Sequence, residues 1–372
     1  MLRSLCFYCA LIQLVLAAVP STKVKLIIDT DGVYDDIRGL AIALTHPNSE
    51  VLAITTGHGG VSANQSATNV ARLLREVGME SVPIYIGSQD SLVPKGPVVV
   101  WEDLFGSDGI GGVPNALPKT LPSDFSVAQP KHAVDAIIEI TKKHQNITFV
   151  ALAPLTNLAM ALRKDPEIVK RLQRIVIMGG NYMGVGNAQF NSTAEFNFLM
   201  DPEAAHIVLS SVHTTIVPWD TCFFKGPEYS QKVNYEESLQ FKTPMSYFLS
   251  NITAKGRAYN KLINQQYAFV DDIAVAIAID PTVSVKELKL CAAVELEKKA
   301  STRGQVAIDW LSTGYNAKSH GFEAMAEKND HNWLAQHFVT EYDVVKINRM
   351  LVDAVTPCEG EGQKRKQANE FV

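Results

Sequence analysis

Apolar positions fall into short unbroken runs separated by amphipathic stretches. The first run, Val24-Lys-Leu-Ile-Ile28, is almost continuously apolar, which predicts a strand buried on both faces, as in a parallel sheet. Residues 37–44 then follow a helical pattern. The alternation continues with strands predicted at 51–56, 82–86, 147–152, 174–178 and 214–218. Helices are predicted at 62–76, 131–144, 155–163 and 202–209. Residues 237–279 read as largely helical and 294–306 as a late hairpin. Strand and helix in turn imply an α/β fold, Rossmann-like, with a mostly parallel central sheet flanked by helices.

Between the third strand and the next helix lies a Pro/Gly-rich loop, residues 88–130, long enough to expect a lid or binding role. It carries Trp101 and the run Phe105-Gly-Ser-Asp-Gly-Ile-Gly-Gly112. No strand leads into those glycines and no helix opens after them, so they are not a dinucleotide fingerprint. No phosphate-binding Gly-Lys-Ser/Thr loop is present either.

The densest chemistry follows the first strand. Asp29-Thr-Asp31-Gly-Val-Tyr-Asp35-Asp36 packs four carboxylates into eight residues at the edge where open α/β sheets bind ligands. Two such charges about 5 Å apart repel by roughly 0.8 kcal/mol in bulk water, and by several times that in a dry cleft. First-turn capping accounts for Asp35 or Asp36, but not for Asp29 and Asp31 upstream of the turn. A hard divalent cation, calcium or magnesium, would compensate all four.

Composition narrows the picture further. The chain has 372 residues, 47% of them hydrophobic, and a net charge of −5, which argues against a nucleic-acid partner. Residues 1–18 combine Arg3, an apolar stretch and small residues before Pro20, the pattern of a signal peptide; a secreted, extracellular protein is expected. No other stretch approaches membrane-spanning length. A single domain is expected over 19–357, with a flexible polar tail over 358–372. Cys6 and Cys9 would leave with the signal, so Cys222, Cys291 and Cys358 remain, and their pairing stays open. Sequons at Asn64, Asn146, Asn191 and Asn251 fit a glycoprotein.

Other polar clusters follow strands on the same edge. These are Ala153-Pro-Leu-Thr156-Asn157, the segment carrying Asn187, Glu195 and Asn197, and Trp219-Asp220. Asp271-Asp272 opens a buried apolar helix; capping explains one of the two, with Asp271 the expected cap, and metal ligation would explain Asp271 equally well. Two amides and a carboxylate in one segment suit either loop chemistry or recognition of sugar hydroxyls.

Taken with Ala53-Ile-Thr-Thr56, Ala153–Asn157, Ile177-Met-Gly-Gly180, Ala194-Glu-Phe-Asn197, Asp201-Pro-Glu-Ala-Ala205 and the segment 271–280, the acidic run resembles the inosine-uridine preferring nucleoside hydrolases. The likeness covers about residues 24–285 in the family's order, and the N-terminal pattern is similar to secreted members of animal saliva or venom. It implies calcium held by Asp31, Asp36, the Thr156 carbonyl and Asp271, with Asp31 activating water as general base. Asp35, Asn187, Glu195 and Asn197 would bind ribose hydroxyls, and Met178 would lie against the sugar. Dimers or tetramers would be expected. The reaction would cleave the N-glycosidic bond of a small-molecule ribonucleoside through a cationic, oxocarbenium-like sugar.

Three positions depart from that family. Val270 stands where many members have a histidine that acts on the leaving base, Phe105 where a second histidine is usual, and Gly60 where asparagine is common. The purine-preferring branch also lacks the histidines and stacks the base between aromatics. Trp101, Phe105, Trp219, Tyr267 and Phe269 are the residues available for that, or for ordinary packing. A purine nucleoside is therefore the expected substrate. Two alternatives stand beside this one. A catalytically weak nucleoside-binding protein would keep the fold and the calcium. A haloacid-dehalogenase-type phosphatase would use Asp29 as nucleophile and Asp31 as acid/base with magnesium.

Overall fold

The computed structural model describes residues 23–94, 101–188, 193–223, 232–263, 268–310 and 334–356. Its strands are β1 (Val24–Thr30), β2 (Ser49–Thr56), β3 (Ile84–Ile86), β4 (Ile147–Ala151), β5 (Leu172–Met178), β6 (Thr215–Val217), β7 (Ser284–Val294), β8 (Val306–Asp309) and β9 (Ala335–Tyr342). They form one sheet in the order β3-β2-β1-β4-β5-β6-β9-β7-β8. From β3 through β9 every pairing is parallel, and β7 runs antiparallel to both β9 and β8. The mostly parallel sheet read from the sequence is thus present.

The sequence order of neighbouring strands changes sense between β1 and β4, the topological switch point where such sheets open a crevice. Register places Asp29 of β1 beside Thr55 of β2 and Ala151 of β4. The acidic run therefore starts at the rim of that crevice.

The helices used below are α1 (Tyr34–Thr45), α2 (Ala63–Val77), α3 (Glu102–Phe105), α4 (Ala133–Lys143), α5 (Thr156–Lys164), α6 (Phe196–Met200), α7 (Pro202–Ser211), α8 (Pro244–Leu262), α9 (Asp271–Ile279) and α10 (Val344–Val355). Period-two alternation in β1 splits the core. Leu26 and Ile28 pack with α1, α2, α8, α9 and α10 on one face, and Ile27 packs with α4, α5 and α7 on the other. All three are fully buried, each contributing about 1.5–3 kcal/mol on enclosure.

Most expected elements appear with shifted ends. Ser62, expected inside a helix, is instead the N-cap of α2, accepting from the Gln65 N–H at 3.2 Å. The hairpin expected at 294–306 is wider: Val294 pairs with Val306, so the expected segment is its turn and the strands extend outward. β9 and α10 were not expected at all. The long loop is not structureless, since α2 pins it: Arg72 donates to the carbonyls of Val113 and Ala116 at 2.9 and 2.7 Å. Asn69 donates to the carbonyls of Gly32 and Asp108 at 2.9 and 2.7 Å, linking that loop to the acidic turn.

Cys222 and Cys291 are free thiols. Asn64, Asn146 and Asn251 are exposed. The signal segment, Asn191, Tyr267, Cys358 and the tail lie outside the described residues. No helix among the described residues is long and apolar enough to cross a membrane.

Candidate active site

β1 delivers Asp29, Thr30 and Asp31 to the crevice, and a tight turn redirects the chain into α1. Gly32 holds φ +69°, and a Cβ there would sit 2.6 Å from the Ser66 hydroxyl, so the turn requires glycine. Its N–H donates to Thr30 Oγ1 at 3.0 Å, and the Thr30 hydroxyl donates in turn to Asp36. Val33 caps α1 without a side-chain bond, so the first turn relies on Asp35 and Asp36.

α9 packs against α1 and also presents its N-terminus to the acids. Its cap is Val270, not Asp271; Asp271 and Asp272 both occupy the first turn, and no side chain caps the helix. Two positive helix ends thus meet at the acids, which favours negative charge between them. Carboxylate oxygens of Asp35, Asp36 and Asp271 all lie within 4.8 Å of one another. The Asp31 carboxyl lies within hydrogen-bond reach of Asp36.

Partners are missing where they matter. Asp31 Oδ1, Asp35 Oδ1, Asp271 Oδ1 and Asp29 Oδ2 are buried with no hydrogen-bond partner. Burial pushes the Asp29 and Asp35 carboxyls up to about 7, with Arg38 pulling Asp35 partway back. Burial first, then the neighbouring carboxylates, raises Asp36 and Asp271 well above the usual range, and burial raises Asp31 too. Without a cation this cluster would carry protons. Orphaned, exclusively oxygen donors at this spacing fit a hard divalent ion.

The remaining sequence candidates are held in different ways. Thr156 opens α5, and its hydroxyl donates to Asp201 Oδ2 at 2.7 Å. That commits its only proton, so His58 Nε2, 2.9 Å away, is the donor to Thr156 Oγ1. Glu195 is the N-cap of α6 and accepts from the N–H groups of Gly180, Asn197 and Phe198 at 2.8, 2.9 and 3.1 Å. Burial raises it to about 7. Asn197 Nδ2 donates to the carbonyls of Leu152 and Met178 at 2.9 and 3.2 Å, tying the ends of β4 and β5 together. Asn187 Oδ1 accepts from the Phe196 N–H at 2.7 Å. Met178 is buried at the end of β5.

Of the aromatics, Trp101 is half-buried, and its carbonyl caps α3 by accepting from the Leu104 and Phe105 N–H groups. Phe105 packs its ring 4.9 Å from that of Tyr34, beside the acidic turn. Phe269 is fully enclosed in the core. Trp219 donates its N–H to the Gly180 carbonyl, and Asp220 accepts from Tyr182 and Met183.

Sequence reasoning gave no role to Asn157, His58, Asp201 or Arg38. Asn157 spans three elements: Nδ2 donates to Asp29 Oδ1 at 2.9 Å and to the Thr56 carbonyl at 3.1 Å, and Oδ1 accepts from the Ser88 N–H. Arg38 holds Asp272 through Nε at 3.1 Å and through Nη2. The phosphatase alternative needs an acidic pair ending a strand; here the pair opens a helix and Arg38 neutralises half of it.

A Rossmann-like sheet with orphaned, buried carboxylates at its switch point is suited to metal-assisted chemistry on a polar small molecule. Residues 26–346 match the model of the inosine-uridine preferring nucleoside hydrolases, and the chain belongs to that family, whose members depend on a metal ion. It is 34% identical over 293 residues to the inosine-uridine preferring nucleoside hydrolase of Leishmania major, covering 77% of this chain and 88% of that protein. Against the enzyme of the same description from Crithidia fasciculata the figures are 34% over 270 residues, 71% and 81%. Among solved structures it superposes on an inosine-guanosine nucleoside hydrolase with a TM-score of 0.74 at 28% identity, covering 89% of this chain and 98% of that one. The chain is accordingly a nucleoside hydrolase, acting on the N-glycosidic bond of ribonucleosides.

Proposed function

We propose a secreted, calcium-dependent nucleoside hydrolase that prefers purine ribonucleosides such as inosine and releases free base and ribose. The observation that carries this reading is the set of buried carboxylate oxygens without partners at the switch point, Oδ1 of Asp31, Asp35 and Asp271. Calcium, when bound, would supply positive charge that makes a nearby water more acidic and favours a vicinal diol. Asp31, Asp36, Asp271 and the Thr156 carbonyl would hold it.

Asp31 takes a proton from the attacking water. Asp35, Asn187, Glu195 and Asn197 orient the ribose hydroxyls, and Met178 backs the sugar. The carboxylates beneath the ring stabilise the positive charge that grows on C1′ and the ring oxygen as the base departs. Purine preference is supported by Val270 and Phe105, neither of which can protonate a leaving base, and by the likeness to an inosine-guanosine hydrolase. Secretion is supported by the N-terminal pattern and by the exposure of Asn64, Asn146 and Asn251.

The same Val270 favours a second reading, a nucleoside-binding protein with negligible turnover. A reducing-sugar assay over purine and pyrimidine ribonucleosides, with and without chelator, decides between them. Ribose release from inosine or guanosine that stops with chelator is expected. Micromolar nucleoside binding without ribose release would establish the binder instead.

A further inference from the structure

Arg38 and Asp272 form a buried ion pair that the proposed chemistry does not use. Both side chains are almost wholly enclosed, and the guanidinium grips the carboxylate with two prongs, Nε to Oδ1 at 3.1 Å and Nη2 to Oδ2. Nη2 also donates to the Ala268 carbonyl at 3.5 Å, and the Tyr235 ring lies 5.0 Å beneath the guanidinium carbon. The pair bridges the two helices that supply the acids. Arg38 lies one turn beyond Asp35 on α1, and Asp272 is the neighbour of Asp271 on α9. Between them the helices touch closely: a Cβ on Gly39 would stand 3.1 Å from Val275 Cγ2 and 3.5 Å from the Asp271 carbonyl.

A buried pair of this kind is weak support for stability, because desolvation offsets most of its attraction. Its strength is geometric, since the planar fork fixes direction as well as distance. We infer that Arg38 is a positioning residue, which through its forked pair with Asp272 sets Asp271 of α9 against Asp35 and Asp36 of α1 and presets the spacing of the cation-binding oxygens. This rests on the calcium reading above.

Charge and geometry predict opposite effects, which makes the inference testable. Removing Arg38 alone adds a net negative charge beside the site and by electrostatics would tighten a cation. Removing both partners leaves the net charge unchanged, so any loss of affinity reports position. The experiment is calorimetric titration of calcium into the chelated full-length protein, as wild type and as the double variant R38M/D272L. A tenfold or greater loss of calcium affinity is expected in the double variant, with the metal-free melting temperature held within a few degrees. Calcium affinity within twofold of wild type would overturn the positioning role and leave the calcium reading standing. Absence of calcium binding by the wild-type protein would overturn both. If the double variant does not fold, R38K keeps the charge and loses the fork: a threefold or greater loss of affinity supports the inference, and wild-type affinity overturns it.

Discussion

The Gly60 N–H donates to Asp31 Oδ2 at 2.6 Å, while Asp31 Oδ1 has no partner. One oxygen is therefore fixed by backbone and the other is left for chemistry. Asp31→Ala removes the base and a donor together, and should lower ribose release from inosine at least a thousandfold while circular dichroism stays that of the wild type. The scale follows from general-base catalysis, about 10²–10⁴-fold, with ion binding lost as well. Turnover within tenfold of wild type would remove Asp31 from the base role.

Gly59 makes room for the same carboxyl. A Cβ there would fall 2.0 Å from Asp31 Oδ2 and 2.6 Å from its Cγ. Gly59→Ala should displace Asp31 and cut kcat at least tenfold, although it introduces only a methyl group. Wild-type kcat, measured at saturating inosine and calcium, would show that the turn yields without cost to the site.

The metal-free protein should lose stability as pH rises. Asp29, Asp35 and Glu195 sit at about 7 in the fold, whereas in an unfolded chain they lie near 4. Between those values the folded state binds more protons, so the contribution is full below about pH 4 and fades as pH passes 7. Thermal melting in chelator should give a higher midpoint at pH 5.5 than at 7.5, by several degrees at roughly 1–2 °C per kcal/mol for a chain of this length. Saturating calcium should reduce the difference, because a nearby cation favours the ionised form of these carboxylates. A midpoint that rises with pH in chelator would contradict the buried, uncompensated cluster.

Asn157 supports the site without joining it. Asn157→Ala strands the Ser88 N–H, takes one of two donors from Asp29 Oδ1, and leaves the Thr56 carbonyl with the Gly87 N–H alone. A buried group left unsatisfied costs about 1–3 kcal/mol, so a loss of about that size is expected in urea unfolding. A loss below about 0.5 kcal/mol would show that water replaces the amide.

The acidic run and the strand alternation were legible because both are local: Asp29 through Asp36 are contiguous, and Leu26–Ile28 read directly as buried strand. Asp271 was legible as a candidate ligand but misjudged as a cap, since nothing in the sequence marks Val270 as the residue before the first turn. The links that organise the site are long-range. Thr156 meets Asp201 and His58 across three segments, and Arg38 meets Asp272 across 234 positions. A trace of the last pair was available: Arg38 is the one charge within the apolar run 37–44, and Asp272 is the second of two acids opening an apolar helix, so each needs a partner. β9 escaped notice because Gln336 and His337 interrupt its apolar pattern; Gln336 is buried and spends its amide on Thr214, Leu209 and Val212.

Crystals of the wild-type protein grown with calcium and ribose, the product, put the central claim to the most direct test. Anomalous density for one calcium ion among Asp31, Asp36 and Asp271 is predicted, with the ribose 2′- and 3′-hydroxyls on it at about 2.3–2.6 Å. Ribose seated in the crevice with those three carboxylates turned away from one another and no ion between them would contradict it.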